Sequence, residues 1–125
     1  MDVFGVASRH VAWLQSRQQV LAQNIANSDT ARYQARDLAD FNPGTQSSGL
    51  LLTSTHTRHI GFQDSAHNGG SFESVLSAGS DVTHSGNNVN LEREMKKVGE
   101  TGLSFSFDTS VSKVFHRMLL ASVKG

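Results

Sequence analysis

Residues 21–41 read LAQNIANSDTARYQARDLADF, and the fold turns on how this stretch is read. It begins as the end of an amphipathic helix, with Leu21 and Ile25 four apart on one helical face. Asn24 and Asn27 flank that face, although asparagine is a poor helix-interior residue whose amide competes for backbone bonds. Ser28, Asp29 and Thr30 favour turns and local side-chain-to-backbone hydrogen bonds. Tyr33, Arg36, Asp37 and Phe41 follow with neither helical nor strand period. Two readings are open on the residues alone: a capped helix running into a loop, or a docking elbow that hands the helix over to a segment binding another chain.

Upstream, residues 3–27 predict a long helix. Phe4, Ala7, Val11, Leu14, Gln18, Leu21 and Ile25 alternate spacings of three and four, a seven-residue repeat broken in polarity only by Gln18. A stripe this narrow suits a helix packed on one or two others, not one sunk in a large core. Trp13 and Val20 lie off the stripe, placed either for a second contact or for partial exposure. Gln18 either sets register at the seam or faces solvent.

Downstream, residues 42–86 hold seven of the chain's 11 glycines and are filled with Ser, Thr, Asn and His. Only nine of these 45 residues are large aliphatics or Phe, the level at which disorder sets in. An extended, mostly irregular connector is expected. Residues 50–57 are candidates for a short strand and 72–76 for one helical turn. Gly86-Asn87-Asn88-Val89-Asn90 then opens a second long helix, with Asn90 as its N-cap and Glu92 and Glu94 in the first turn, where the dipole favours negative charge. Glu92 and Lys96 stand in the favourable i, i+4 order. Leu91, Met95, Val98, Gly102 and Phe105 form one apolar stripe; Phe107, Val111, Val114, Phe115, Met118 and Leu119 form another, displaced round the helix as in a stutter. Gly99 and Gly102 either permit close helix approach or a bend, or are simply weak points.

The expected fold is therefore mainly α: two long terminal helices paired as a coiled-coil-like unit, joined by a connector with at most short β pieces. The segments are an N-terminal helix (1–27), an elbow (28–41), a loose connector (42–86) and a C-terminal helix (87–125). Leu, Ile, Val and Phe make up 31 of 125 residues, and two helices bury little against each other. Backbone ordering costs on the order of 1–2 kcal/mol per residue, so such a monomer is marginal and its apolar stripes have to find other chains.

The 11 basic and 11 acidic residues balance, which argues against nucleic acid or an anionic membrane as the main partner. There is no cysteine, hence no disulfide or thiolate metal site. No apolar run approaches the roughly 18 residues of a membrane span, and residues 1–14 lack the apolar segment of a secretory signal. His56 and His59 are three apart, with His67, His84, Asp64 and Asp81 nearby, but solvated polar residues explain them better than a metal site. No phosphate loop, nucleophile motif or facing carboxylate pair is present. Nothing supports an enzyme or a cofactor.

The Asn24-Ile25-Ala26-Asn27 helix end followed by Asp29-Thr30 and Tyr33 resembles the signature of flagellar rod, hook and related axial proteins. The Arg36-Asp37-Leu38 continuation, the run from Leu52 to Ile60 (LTSTHTRHI) and the run from Gly86 to Glu94 (GNNVNLERE) narrow the resemblance to the proximal-rod proteins of the bacterial flagellar basal body. One departure is Ala31-Arg32, where the family usually has Pro-Gly; both residues resist the positive φ that Gly accepts. The resemblance implies a structural subunit of a tubular drive shaft that carries torque and leaves an export channel. It also implies export through the flagellar type III apparatus, a place in the periplasmic span, and as partners copies of itself, other rod proteins, the adaptor FliE and the MS-ring protein FliF. Another axial component or a secreted helical adaptor is the alternative. The residues expected to carry subunit packing are Phe4, Val11, Leu14, Leu21 and Ile25 on the first helix and Leu91, Met95, Val98, Phe105, Val111 and Met118 on the second. Asn24, Asn27, Thr30, Tyr33, Arg36 and Asp37 would form the elbow that meets a neighbour.

Overall fold

A computed structural model describes residues 3–44, 72–77 and 82–125. Helix α1 runs Val3–Ala26, strand β1 Arg36–Leu38, strand β2 Ser74–Leu76 and helix α2 Leu91–Lys124. The helices lie antiparallel: Phe4 meets Phe115 edge to face, His10 contacts Asp108, and Asn24 contacts Glu94. The expected strand at 50–57, and His56, His59, His67, Asp64 and Asp81, lie outside the described residues. Residues 72–76 do not form the expected helical turn. They hold β2, which pairs antiparallel with β1 in the register Arg36↔Leu76, Asp37↔Val75, Leu38↔Ser74. A three-residue segment is too short to show a period, and the partner strand decides its state.

The reversal at the end of α1 builds this arrangement. α1 ends where Asn27 N–H bonds back to Gln23 and Asn24 carbonyls, and Thr30 N–H bonds to the Asn27 carbonyl. Arg32 then takes φ 62°, the left-handed region. The turn that Gly would make easily is therefore made here by Arg. The Arg32 N–H bonds Ser85 O, and Gly86, itself at φ +83°, packs close enough that a Cβ there would lie 3.4 Å from Arg32 Cα. Left-handed backbone costs a residue with a Cβ about 1–2 kcal/mol, so Arg32→Gly is expected to raise stability by about 1 kcal/mol. A rise in the urea midpoint without a change in slope checks this.

From Tyr33 the chain runs back along α1. Trp13 donates its indole N–H to Ala39 O at 2.9 Å and packs with Leu14 and Leu38, with Val20, Phe41 and Phe72 around them. Trp13 is thus in the core, on the second contact face of α1, and not partly exposed. Gln18, in contrast, faces solvent.

The largest difference from expectation lies in α2. Asn90 caps it as expected, accepting from Arg93 N–H at 3.0 Å. The face turned towards α1, however, is Glu94, Lys97, Thr101, Ser104 and Asp108, buried or half-buried at alternating spacings of three and four. That heptad is polar, and it is offset by one residue from the apolar stripe Leu91, Met95, Val98, Gly102, Phe105. One residue is about 100° of helix rotation. Met95 is consequently 62% exposed, and Leu91, Phe105, Val111 and Met118 are exposed with it; only Val98 of the predicted set is half-buried. Gly99 and Gly102 have nothing within 4 Å of an added Cβ, so neither serves close approach within the chain. The i, i+4 pair on the outside is Lys96–Glu100 at 4.0 Å and not Glu92–Lys96.

Candidate functional site

The elbow is organised by one amide. Asn24 projects from the last turns of α1 and is fully buried. Its Nδ2 donates to Arg36 O at 2.6 Å and to Glu94 Oε2 at 2.8 Å. Its Oδ1 accepts from Arg36 N–H at 3.0 Å and from Tyr33 O–H at 3.1 Å. Two donors and two lone pairs are the whole capacity of an amide, and all four are used. Towards Arg36 the side chain offers one donor and one acceptor, as a neighbouring strand would. It thereby closes the outer edge of β1 while also tethering the start of α2.

A second asparagine performs the matching task from the other side. Asn87 is buried and donates to Asn27 O at 2.8 Å and Thr30 O at 2.7 Å, satisfying carbonyls of the turn that ends α1. Its Oδ1 accepts from Val89 N–H at 2.7 Å. Asn88 Oδ1 accepts from Ala35 N–H at 2.6 Å. The Gly-Asn-Asn-Val run and the Asn-Ile-Ala-Asn run are therefore two halves of one junction.

Beside the junction lies a charged cluster. Arg17 grips Asp37 with both arms of its fork, at 2.9 and 3.1 Å, and Lys97 Nζ lies 3.2 Å from the same carboxylate. Burial pushes the Asp37 carboxyl up, but the Arg17 hydrogen bonds and charge, the Leu38 N–H and Lys97 outweigh it and hold its pKa below the usual value of 3.8. A depressed folded-state pKa contributes stability above the unfolded value, and that stability is lost as pH falls through the folded one. The wild type should therefore lose stability as pH drops below about 4, and Asp37→Asn should flatten that slope while costing about 1–2 kcal/mol at neutral pH. Urea titrations at several pH values test both; equal slopes would remove Asp37 from the account.

Glu94 completes the cluster. It is fully buried, with Oε2 on Asn24; Oε1 has no hydrogen-bond partner among the described residues and lies 3.6 Å from Lys97 Nζ, an ionic but not a hydrogen-bonded distance.

Of the expected elbow residues, Asn24, Tyr33, Arg36 and Asp37 are tied within the chain; Arg36 reaches across to Ser74, with Nε on the hydroxyl at 2.8 Å. Asn27 and Thr30 bond each other at 3.1 Å near the surface. Arg17 and Lys97 belong to the same construction without any sequence pattern marking them, and Asn87 and Glu94 join it, marked in the sequence only as parts of the run that opens α2. Among the described residues no group of three or more His, Cys, Asp or Glu is placed to hold a metal ion, and no helix is long and apolar enough to cross a membrane.

The other notable surface is the outside of α2. Leu103 is 74% and Phe107 69% exposed, and Val111, Val114 and Met118 continue the same side. A helix that turns its polar residues to the seam and shows its apolar ones is built to be covered by other chains.

Comparison with known proteins gives the family. The model of the family described as flagella basal body rod protein matches residues 12–34, the segment from Ala12 to Gln34 that contains Asn24 and the turn. Relatives extend the likeness over the chain. It is 33% identical to the flagellar basal body rod protein FlgB of Agrobacterium fabrum, across 99% of this chain and 94% of that one. It is 31% identical to FlgB of Salmonella typhimurium, across 76% and 73%, and 32% identical to that of Bacillus subtilis, across 71% and 67%. These relatives make the chain a flagellar basal body rod protein. Within that class, the chain belongs to the FlgB family.

Proposed function

We propose that the chain is a structural subunit of the proximal rod, packing through its terminal helices with neighbours into a tube that transmits torque and leaves a central export channel. The observation that carries this reading is the inverted polarity of α2: Glu94, Thr101 and Asp108 lie at the seam, while Met95, Leu103 and Phe107 are exposed. Covering one such side chain is worth about 1.5–3 kcal/mol, and α2 carries them along most of its length. Assembly supplies the burial that the isolated chain lacks.

The proposed role is mechanical. The rigid part is the junction, where Asn24, Asn87, Asn88 and the Arg17–Asp37–Lys97 cluster fix the angle at which α1 hands over to α2. The contacting part is the exposed face of α2 with Phe4, Val11 and Ile25 of α1. Copies of itself, other rod proteins, FliE and FliF are the neighbours proposed for these faces. The periplasmic span is the proposed location and the type III apparatus the proposed export route. Deleting the gene and imaging basal bodies by electron microscopy tests the proposal. The expected result is basal bodies without a rod, restored by this chain supplied from a plasmid. Intact rods in the deletion strain would refute it.

A further inference from the structure

On α1, Asn24, Arg17 and His10 recur every seven residues, with Leu21 and Leu14 between them on the same face. On α2, Glu94, Thr101 and Asp108 recur at the same interval, and Phe115 continues the series to meet Phe4. Two hydrogen bonds cross between these faces. Asn24 Nδ2 donates to Glu94 Oε2 at 2.8 Å, and His10 Nδ1 donates to Asp108 Oδ2. They stand two heptads apart on each helix, at 10 and 24 on α1 and at 94 and 108 on α2, so a single antiparallel register satisfies both. The His10 ring is itself held by Trp13, stacked at 5.8 Å, and by Phe41 at 4.8 Å.

This rotation of α2 is not the one that apolar burial favours. It places a fully buried carboxylate at the seam, one of whose oxygens has no hydrogen-bond partner among the described residues. It also leaves Leu91, Met95 and Phe105 exposed. Both features cost free energy. A roll of α2 by one residue, about 100°, would release Glu94 to water and bring Leu91, Met95, Val98 and Phe105 over the face of α1 that holds Leu14 and Leu21. Lys97, which reaches Asp37 at 3.2 Å and Ser77 at 3.1 Å, has a flexible four-carbon stem that can follow such a roll. The Asn24 amide and the packed His10 ring are short and cannot. Polar groups at a helix seam select one arrangement among several at a cost in stability.

We propose that the Asn24–Glu94 and His10–Asp108 pairs are a rotational lock. They hold α2 with its polar side on α1 and its apolar stripe outside, against a rolled arrangement in which the chain covers that stripe itself. The lock acts within one chain, so it stands independently of the rod-subunit reading.

The chain has no cysteine, so single cysteines report the rotation by their rate of reaction with a maleimide. M95C replaces a side chain that is 62% exposed and T101C one that is 3% exposed. With the lock intact, M95C should react about tenfold or more faster than T101C, which reacts only through local opening. The double change E94S/D108S keeps the seam polar but puts its hydroxyls out of reach of Asn24 and His10; in that background the order of the two rates should reverse. E94Q/D108N keeps an acceptor at both positions and should keep the order of the parent. Rates are taken on the dilute full chain at two concentrations, so that cover by other copies would show as a concentration dependence, and helix content is followed by circular dichroism. An unchanged order in E94S/D108S would show that the seam holds α2 without these pairs. Two fast thiols with helix content lost would make the pairs supports of the fold and not of its rotation. A reversal that also occurs in E94Q/D108N, or rates in the parent that change with concentration, would assign the orientation of α2 to net charge or to other chains. Each of these results overturns the proposal.

Discussion

Asn24→Ala is expected to cost about 4 kcal/mol or more and to leave the purified chain largely without tertiary structure. The substitution removes all four hydrogen bonds of a fully buried amide. It strands the Arg36 N–H and C=O at the edge of β1, and it removes the only hydrogen bond that the Glu94 carboxylate makes in the described structure. Each buried group left without a partner costs about 1–3 kcal/mol, and a buried carboxylate sits at the upper end. Domains have about 5–15 kcal/mol in total, and one whose buried apolar core among the described residues is Trp13, Leu14, Leu21, Ala35 and Leu38 belongs at the low end of that range. Tyr33→Phe is the control, since it deletes one of the four bonds and leaves the shape, and should cost about 1 kcal/mol. The check is urea denaturation followed by Trp13 fluorescence, since the indole packs on the strand that Asn24 holds. If Asn24→Ala costs no more than Tyr33→Phe, the amide is not the organiser of the elbow.

Much of this construction is legible in the residues. The bounds of α1 follow from its heptads, the cap of α2 from Asn90, and the mainly α architecture from the two periodic ends and the poor middle. What is not legible has a common physical cause. Asn24 looks like a weak helix residue because propensity counts only its own backbone; its partners are 12 and 70 residues away. The stripe of α2 was misplaced by one residue because periodicity weights apolar side chains, whereas here Glu94, Thr101 and Ser104 form the seam and the apolar residues wait for a neighbour. Trp13 lay off the stripe because its partners Leu38 and Phe41 come from the returning chain. Ala31-Arg32 argues locally against a positive φ, yet the junction imposes it through the Arg32 N–H bond to Ser85 and the room that Gly86 leaves. Tertiary partners overrule a local preference worth about 1–2 kcal/mol when several hydrogen bonds depend on the turn. Such inversions concentrate where a chain is completed by others: the residues that break the local rules here are those at the junction and on the exposed face of α2.

Phe107→Asp is expected to separate folding from assembly. Phe107 is 69% exposed on a flank of α2 beside His10 of α1, so in the isolated chain the change is a surface substitution, within about 0.5 kcal/mol. Circular dichroism and the urea midpoint should match wild type. In the assembled rod the same position is proposed to lie between chains. There an aspartate loses about 1.5–3 kcal/mol of apolar burial and adds the cost of desolvating an unpaired charge, several kcal/mol more. The penalty recurs in every subunit, so a strain carrying only this variant should assemble no rod and should not swim. Met95→Asp, 62% exposed on another flank of α2, should behave alike if both flanks meet neighbours. Phe107→Asp paired with Asn24→Ala makes the distinction sharp: the first chain folds and fails to assemble, the second fails to fold. Normal motility with Phe107→Asp would show that this face of α2 stays in solvent, and the inverted polarity of α2 would then need another explanation.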